Sequence, residues 1–263
     1  MDQNNKPVVG ISYTSRNRPD LLNICLEQTQ KYLSPEKFEY VISVINDFGD
    51  PKWDREYDDL RKKFPNVVWY KAPVRLGIAK AKNEGIKIMR INCDHFFLSD
   101  DDCFPIRQGW EELYIDTAKN NGVNHLMHEF PIQDRIELLK TENGICKFMG
   151  SCGVFLYFTR HAINTVGGMR KAFKNYGNEH TEIAFRCHLA NLQGKWGPFM
   201  SPEKSRDYIY AIDLDLLLFG MQPKDLTIDV NNFRYTTTAG EIKEERAHNM
   251  GLFKTMEPFF EDI

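Results

Sequence analysis

Asp94-His95-Phe96-Phe97-Leu98-Ser99-Asp100-Asp101-Asp102 decides how this chain is read. Phe96 to Leu98 has the unbroken apolar character of a buried strand, and three carboxylates follow almost at once. Like charges that close together repel and raise one another's pKa unless a cation neutralises them. Side chains of an extended segment alternate sides, so Asp100 and Asp102 can aim at one point. Hard divalent cations take one or two carboxylates and complete their shell with substrate phosphates. The run is therefore a candidate Asp-x-Asp cation site carrying a phosphorylated ligand. A solvated acidic loop or a helix start, where Asp is also common, is the alternative.

Upstream, strands and helices alternate. Pro7 to Tyr13 reads as a strand, Thr14 to Pro19 as a polar turn, and a helix starts at Asp20. Phe38 to Ile45 is a second strand, closed by Asn46-Asp47-Phe48-Gly49-Asp50. Trp53, Tyr57, Leu60 and Phe64 recur at the spacing of an amphipathic helix. Asn66 to Lys71 is a third strand, and Gly77 to Ile91 a helix. This alternation predicts an α/β fold with a largely parallel, doubly wound sheet. Ligands of such sheets bind beyond the carboxyl ends of the strands, where Thr14 to Arg18, Asn46 to Asp50 and Asp100 to Asp102 all fall.

The second half is less regular. Trp110 to Lys119 reads as a helix, and His125 to Phe130 and Gly153 to Phe158 as strands. A short helix spans Arg160 to Val166, and a longer one runs from about Gly177 to Leu192. Tyr208 to Ile212 is strand-like, and the tail from Arg234 is expected on the surface.

Composition narrows the class. The chain has 263 residues, 42% hydrophobic and 27% charged, which suits a globular protein with a sizeable core. The net charge of −3 removes an overall basic footprint for nucleic acid. No apolar stretch is long enough for a membrane span. Met1 to Lys6 lacks a signal peptide's apolar region. Six scattered cysteines without a CxxC pair fit reduced thiols and a cytoplasmic location.

Three further groups could carry chemistry. Gly77 lets the backbone enter a helix whose N-terminus can face an anion, with Arg75 and Lys82 adding positive charge. Glu179, Glu182 and Arg186 share a helix face; Glu182 with Arg186 also reads as a surface ion pair. Glu179 and His180 open that helix, where a carboxylate is well placed and a histidine can exchange protons. His248 reads either as an exposed tail residue or as a metal ligand, and His125 and His128 read as structural. Trp196 is either a stacking platform for a sugar or a core residue.

In this order the pieces resemble a glycosyltransferase of the GT-A fold, most similar to the large family 2 group. The turn Thr14-Ser15-Arg16-Asn17-Arg18-Pro19, the acid Asp47, the helix Arg75-Leu76-Gly77 to Asn83, Asp100-Asp101-Asp102, Val166-Gly167-Gly168-Met169 and Tyr176-Gly177-Asn178-Glu179-His180 carry the resemblance. It covers roughly residues 7 to 195. Arg75, Lys82 and His180 depart from the family's usual Asn, Arg and Asp.

The resemblance implies a Rossmann-like, mixed, mostly parallel sheet in one domain over 1–263. A nucleotide-sugar half would span about 7–103, an acceptor half about 104–200 and a C-terminal extension about 201–263. It implies transfer of a sugar from a nucleoside diphosphate donor, UDP-linked for preference, to an acceptor hydroxyl with inversion. Asp100 and Asp102 would hold Mn²⁺ or Mg²⁺, with His248 completing the shell. Glu179 and His180 would be catalytic. Thr14, Ser15, Arg16, Asp47, Arg75, Lys82, Asp100, Asp101, Gly168 and Glu182 would contact substrate, Asp47 through the base or ribose.

Glu-His-x-Glu at 179–182 also resembles the stretch of retaining polypeptide N-acetylgalactosamine transferases. The acceptor is not legible: a glycan, a small molecule or a modified DNA base all remain. A non-catalytic nucleotide-sugar- or glycan-binding module is the competing class. A sugar nucleotidylyltransferase would need a Gly-rich loop, and Ser12 to Pro19 has no glycine.

Overall fold

The computed structural model describes residues 6–129, 137–175, 177–216, 220–224, 226, 228, 248–250, 261 and 263. The first half follows the expected alternation: β1 (Val8–Ser15), α1 (Pro19–Lys31), β2 (Glu39–Asn46), α2 (Asp54–Lys63), β3 (Val68–Lys71), α3 (Ile78–Met89) and β4 (His95–Asp100). Then come β5 (Cys103–Pro105), α4 (Trp110–Asn121), β6 (His125–Met127), β7 (Leu138–Glu142), β8 (Ile145–Phe148) and β9 (Phe155–Thr159). The series ends with α5 (Arg160–Val166), α6 (Glu179–Leu189), β10 (Met200–Pro202) and β11 (Ile209–Ala211). Among the described residues no helix is long and apolar enough to cross a membrane.

The central sheet has the order β3-β2-β1-β4-β9-β6. The first four strands are parallel, and β9 runs antiparallel to both β4 and β6. The sheet is thus mixed and mostly parallel, as the alternation predicts. Parallel strands are covered on both faces and need apolar side chains on each; Val9, Ile11, Tyr13, Phe96, Phe97 and Leu98 are all fully buried.

Phe97 anchors β4. Its ring lies 4.8 Å from Trp110, 5.1 Å from Tyr157, 5.6 Å from Phe155 and 5.7 Å from Tyr114, so α4 and β9 grip the strand from one side. Truncating a ring in such a cluster costs about 3–5 kcal/mol. On the other side α3 lies close enough that a Cβ on Gly85 would sit 2.0 Å from Ser12 Oγ. That close approach brings Lys82, one helical turn earlier, within reach of Asp100.

Several details differ from expectation. β1 runs two residues past Tyr13, because Thr14 and Ser15 pair with Ile45 and Asn46 of β2. The structure adds a β7–β8 hairpin; Asn143 and Gly144 both take positive φ at its turn, the geometry of a two-residue type I′ connection. Trp196 is 4% exposed and belongs to the core. The expected surface tail from Arg234 falls largely outside the described residues.

Candidate functional site

β1, β2 and β4 end side by side, and their C-terminal residues meet. Thr14 is the register partner of both Ile45 and Asp100. Asp100 closes β4, and its Oδ1 accepts from Lys82 Nζ at 2.7 Å. Burial pushes the Asp100 pKa up, Asp102 adds to the rise, and Lys82 opposes it.

Asp101 is fully buried, and Arg18 forms an ion pair with it. Burial raises the Asp101 carboxyl to about 6 against the pull of Arg18. The same guanidinium stands 3.5 Å from Asp102 Oδ2. Asp101 therefore supports the loop, and Arg18, named in the turn motif but not among the candidates, is its counter-ion. Ser15 Oγ is 2.7 Å from the Tyr57 hydroxyl. Ser15 is buried, and Thr14 and Arg16 are half-buried.

Asp47 is a backbone clamp. Its two oxygens accept from Leu76 N at 2.5 Å and Gly77 N at 3.0 Å, while Ile78 N donates to Asn175 O at 3.3 Å. These donors at the entry to α3 thus have protein partners. Arg75 is half-buried beside them.

α6 brings the second group. Glu179 is 4% exposed, and its Oε1 lies 3.2 Å from His180 Nδ1. Burial would push its pKa up, but His180 and, more weakly, Lys82 hold the carboxyl below its ordinary value. Its Oε2 is buried without a hydrogen-bond partner. His180 packs on Gly153, where a Cβ would lie 2.5 Å from Nδ1. Ser151 Oγ and Thr181 Oγ1, 2.6 Å apart, tie the Gly150–Gly153 turn to α6.

Glu182 and Arg186 do pair, but in the interior: Glu182 is fully buried. Arg186 also donates to Val166 O and, at 2.5 Å, to Gly168 O. Asn83 Oδ1 accepts from Met169 N at 2.7 Å. Glu182 and Gly168 thus belong to a buried brace joining α3, the Gly167–Gly168 turn and α6.

Asp100, Glu179 and His180 line one cleft of about 560 Å³, together with Ser151, Phe199 and Met250. Among its described lining residues there is no Lys or Arg. His248 is exposed. Its neighbour Asn249 is buried, accepts from Lys174 N at 2.9 Å and donates to Gly177 O at 2.8 Å. The 248–250 turn therefore sits against the entry to α6.

The donor set suits a hard cation. Asp102 is 3% exposed, and its Oδ1 has no hydrogen-bond partner. Asp213, which the sequence did not single out, touches the Asp102 carboxyl; burial, then Asp102, raises it to about 8. The cation nearest this pair, Arg18, stands 3.5 Å from Asp102 Oδ2 and is already paired with Asp101. Among the described residues no three His, Cys, Asp or Glu side chains form a ready-made cage, so His248 is not brought into one with Asp100 and Asp102. One or two carboxylates suffice for Mg²⁺ when a substrate supplies phosphate oxygens.

No family model matches the chain. Over 117 residues it is 33% identical to an uncharacterized glycosyltransferase of Acanthamoeba polyphaga mimivirus, covering 42% of this chain and 45% of that protein. Among solved structures it is similar to GalNAc-T7 with UDP, GalNAc and Mn²⁺ (TM-score 0.58, 12% identity, 76% of this chain and 44% of that one). It is also similar to the Pyrobaculum calidifontis mannosyltransferase PcManGT with GDP-Man and Mn²⁺ (0.53, 12%, 77% and 56%). A third is S. aureus TarS 1-349 (0.52, 11%, 77% and 60%). The chain spans about half the length of the relatives it matches. The fold it shares with these glycosyltransferases is GT-A.

Proposed function

We propose that this chain is the catalytic domain of a metal-dependent glycosyltransferase that moves a sugar from a nucleoside diphosphate, UDP-linked for preference, to an acceptor hydroxyl. The observation that carries the reading is the shared cleft: Asp100, at the end of β4, on one side, and Glu179, a buried carboxylate held below its ordinary pKa, on the other. One apolar cluster from Val9 to Ile228 supports a single domain. Six free, buried thiols support a reducing, cytoplasmic setting.

The residues divide the work. Asp100 and Asp102 would hold a divalent cation, which when bound would supply Lewis-acid stabilisation of the leaving diphosphate. Lys82 carries positive charge beside Asp100, and Asp47 fixes the turn that presents Arg75. The acceptor oxygen attacks the anomeric carbon, the bond to the diphosphate oxygen breaks, and the acceptor proton passes to Glu179. Glu179 suits that role because its carboxylate stays ionised and one oxygen is uncommitted. His180 holds the other oxygen and so orients the base. A base opposite the leaving group gives inversion. The cleft's described lining lacks the cations that a phosphate backbone requires, which favours an uncharged acceptor over DNA.

The test measures nucleoside diphosphate release from a panel of UDP-, GDP- and other activated sugars, with Mn²⁺, Mg²⁺ or EDTA. Metal-dependent turnover of one donor, lost in the Asp100→Ala/Asp102→Ala double variant, is the expected result. Well-folded protein that neither turns over a donor nor binds a nucleotide with metal would leave a non-catalytic module as the better account.

A further inference from the structure

We infer that the acceptor carries an aryl or alkyl group beside its reacting hydroxyl, and that Met149, Phe185, Phe199 and Met250 form the apolar subsite that takes this group. The inference rests on the transferase reading and names the acceptor class within it.

All four side chains line the cleft that holds Glu179 and His180, and the backbone behind each is fixed. Phe148 N donates to Phe199 O at 2.9 Å and Met149 N to Glu137 O at 2.8 Å, so the ends of β8 and β10 set Phe199 and Met149. Phe185 follows Glu179 by six residues on α6, about 9 Å along the helix axis. Thr181, one turn before Phe185, lines the same cleft. Asn249, bonded to Lys174 N and Gly177 O, seats Met250 against the entry to α6. The apolar surface therefore begins within reach of any group attached next to the hydroxyl that Glu179 deprotonates.

The chemistry of the wall identifies its occupant. Phe185 and Phe199 meet edge to face, with ring centroids 5.2 Å apart and planes at 90°, a favoured aromatic geometry. Phe199 is buried, while Met149 is 64% exposed and Met250 40%. The floor of the subsite is thus aromatic and its mouth is thioether. One exposed methionine needs no explanation. Two from distant segments that flank a single cleft, above an aromatic pair, make a contiguous apolar surface, and such a surface rimmed by polar groups marks a ligand groove. Methionine also adapts its shape to what it covers. Among the described lining residues no Lys or Arg stands ready for an anionic group. Ser151, Thr181 and the Glu179–His180 pair supply the few polar groups that orient a ligand, and the apolar wall supplies contact area.

Titration calorimetry with matched methyl, phenyl and octyl glycosides of glucose, galactose, mannose and N-acetylglucosamine tests this, with Mn²⁺ and UDP or GDP present and the octyl series kept below its micelle concentration. The proteins are wild type, Met149→Gln/Met250→Gln and Met149→Leu/Met250→Leu. On wild type the phenyl or octyl glycoside of a given sugar should bind about tenfold or more tightly than its methyl counterpart. Glutamine keeps the length of methionine but presents an amide, and should cut that ratio to about threefold or less, whereas leucine should retain it. Met149→Gln alone, at the more exposed position, covers the case in which the double variant does not fold, and should also lower the ratio. No phenyl or octyl preference in wild type, or a preference that survives glutamine at these positions, overturns the inference. If the preference depends on the methionines but no nucleoside diphosphate binds and no donor turns over, the apolar subsite stands and the transferase reading fails. If sugar is transferred to methyl glycosides with no gain from phenyl or octyl, the reverse holds.

Discussion

Lys82 Nζ stands 2.7 Å from Asp100 Oδ1, and only 1% of the lysine is exposed. An ion pair this deep is a poor source of net stability, but removing one partner leaves the other charge stranded. Asp100 would then face Asp102 without its counter-ion. Lys82→Met should cost about 2–4 kcal/mol in urea unfolding at neutral pH, and nucleoside diphosphate affinity should drop at least tenfold. Wild-type stability in this variant would mean that Asp100 does not need the lysine.

Gly153 tests whether the His180 to Glu179 contact matters. The space where a Cβ would go is filled by the imidazole, 2.5 Å from Nδ1 and 2.7 Å from Cγ. Gly153→Ala must push the ring away, and Glu179 loses the partner that keeps its pKa low. Transfer should slow on the order of 100-fold, with stability changed by no more than about 1–2 kcal/mol. Unchanged turnover with a displaced ring would remove His180 from the mechanism.

Those two contacts also mark what the sequence could convey. β4 was legible because an apolar run ending in carboxylates has few structural homes, and α3 because its apolar residues recur at helical spacing. The β7–β8 hairpin carries one local signal, Asn143-Gly144 at its turn, while its strands show no clear alternation. β5 and β10, three residues each, are too short to display a period, whereas β11 lies within the strand-like stretch Tyr208 to Ile212. Glu182 and Arg186 were correctly placed on one helix face. Periodicity does not say what covers that face, though, and here it is buried against the Gly167–Gly168 turn. Asp213 meets Asp102 only through the pairing of β11 with β5, a contact between distant segments that no local pattern announces.

His125 and His128 give a pH dependence of stability. Both are buried, and burial lowers each pKa to about 4 from an ordinary 6.5. The unfolded chain takes up these protons first as pH falls, so the stabilisation is complete above about 6.5 and is lost on the way down to about 4. At pH 5 each histidine should cost about 2 kcal/mol relative to pH 7. His128 offers the cleaner test, since neither ring nitrogen has a hydrogen-bond partner. His128→Leu should leave stability at pH 7 within about 1 kcal/mol of wild type and flatten the decline toward pH 5. An unaltered slope, followed by urea unfolding at both pH values, would refute the assignment.

Glu179 and Glu182 lie three residues apart on α6, both buried, yet substitution should separate them. Glu182 is held by Arg186 Nη2 at 2.9 Å and by a second contact at Nε, inside a brace that also fixes Val166 O and Gly168 O. Glu182→Gln should therefore destabilise by about 3–5 kcal/mol, because it strands the Arg186 charge. Its effect on turnover should track the unfolded fraction. Glu179 meets a histidine rather than a fixed cation, and its second oxygen is unpartnered. Glu179→Gln should stay within about 1 kcal/mol of wild type and lower kcat by about 10²–10⁴ with donor affinity retained. Unfolding curves and single-turnover kinetics on the same preparations compare the two. If Glu179→Gln instead unfolds the protein with its residual kcat intact, the carboxylate is structural and the base lies elsewhere in the cleft.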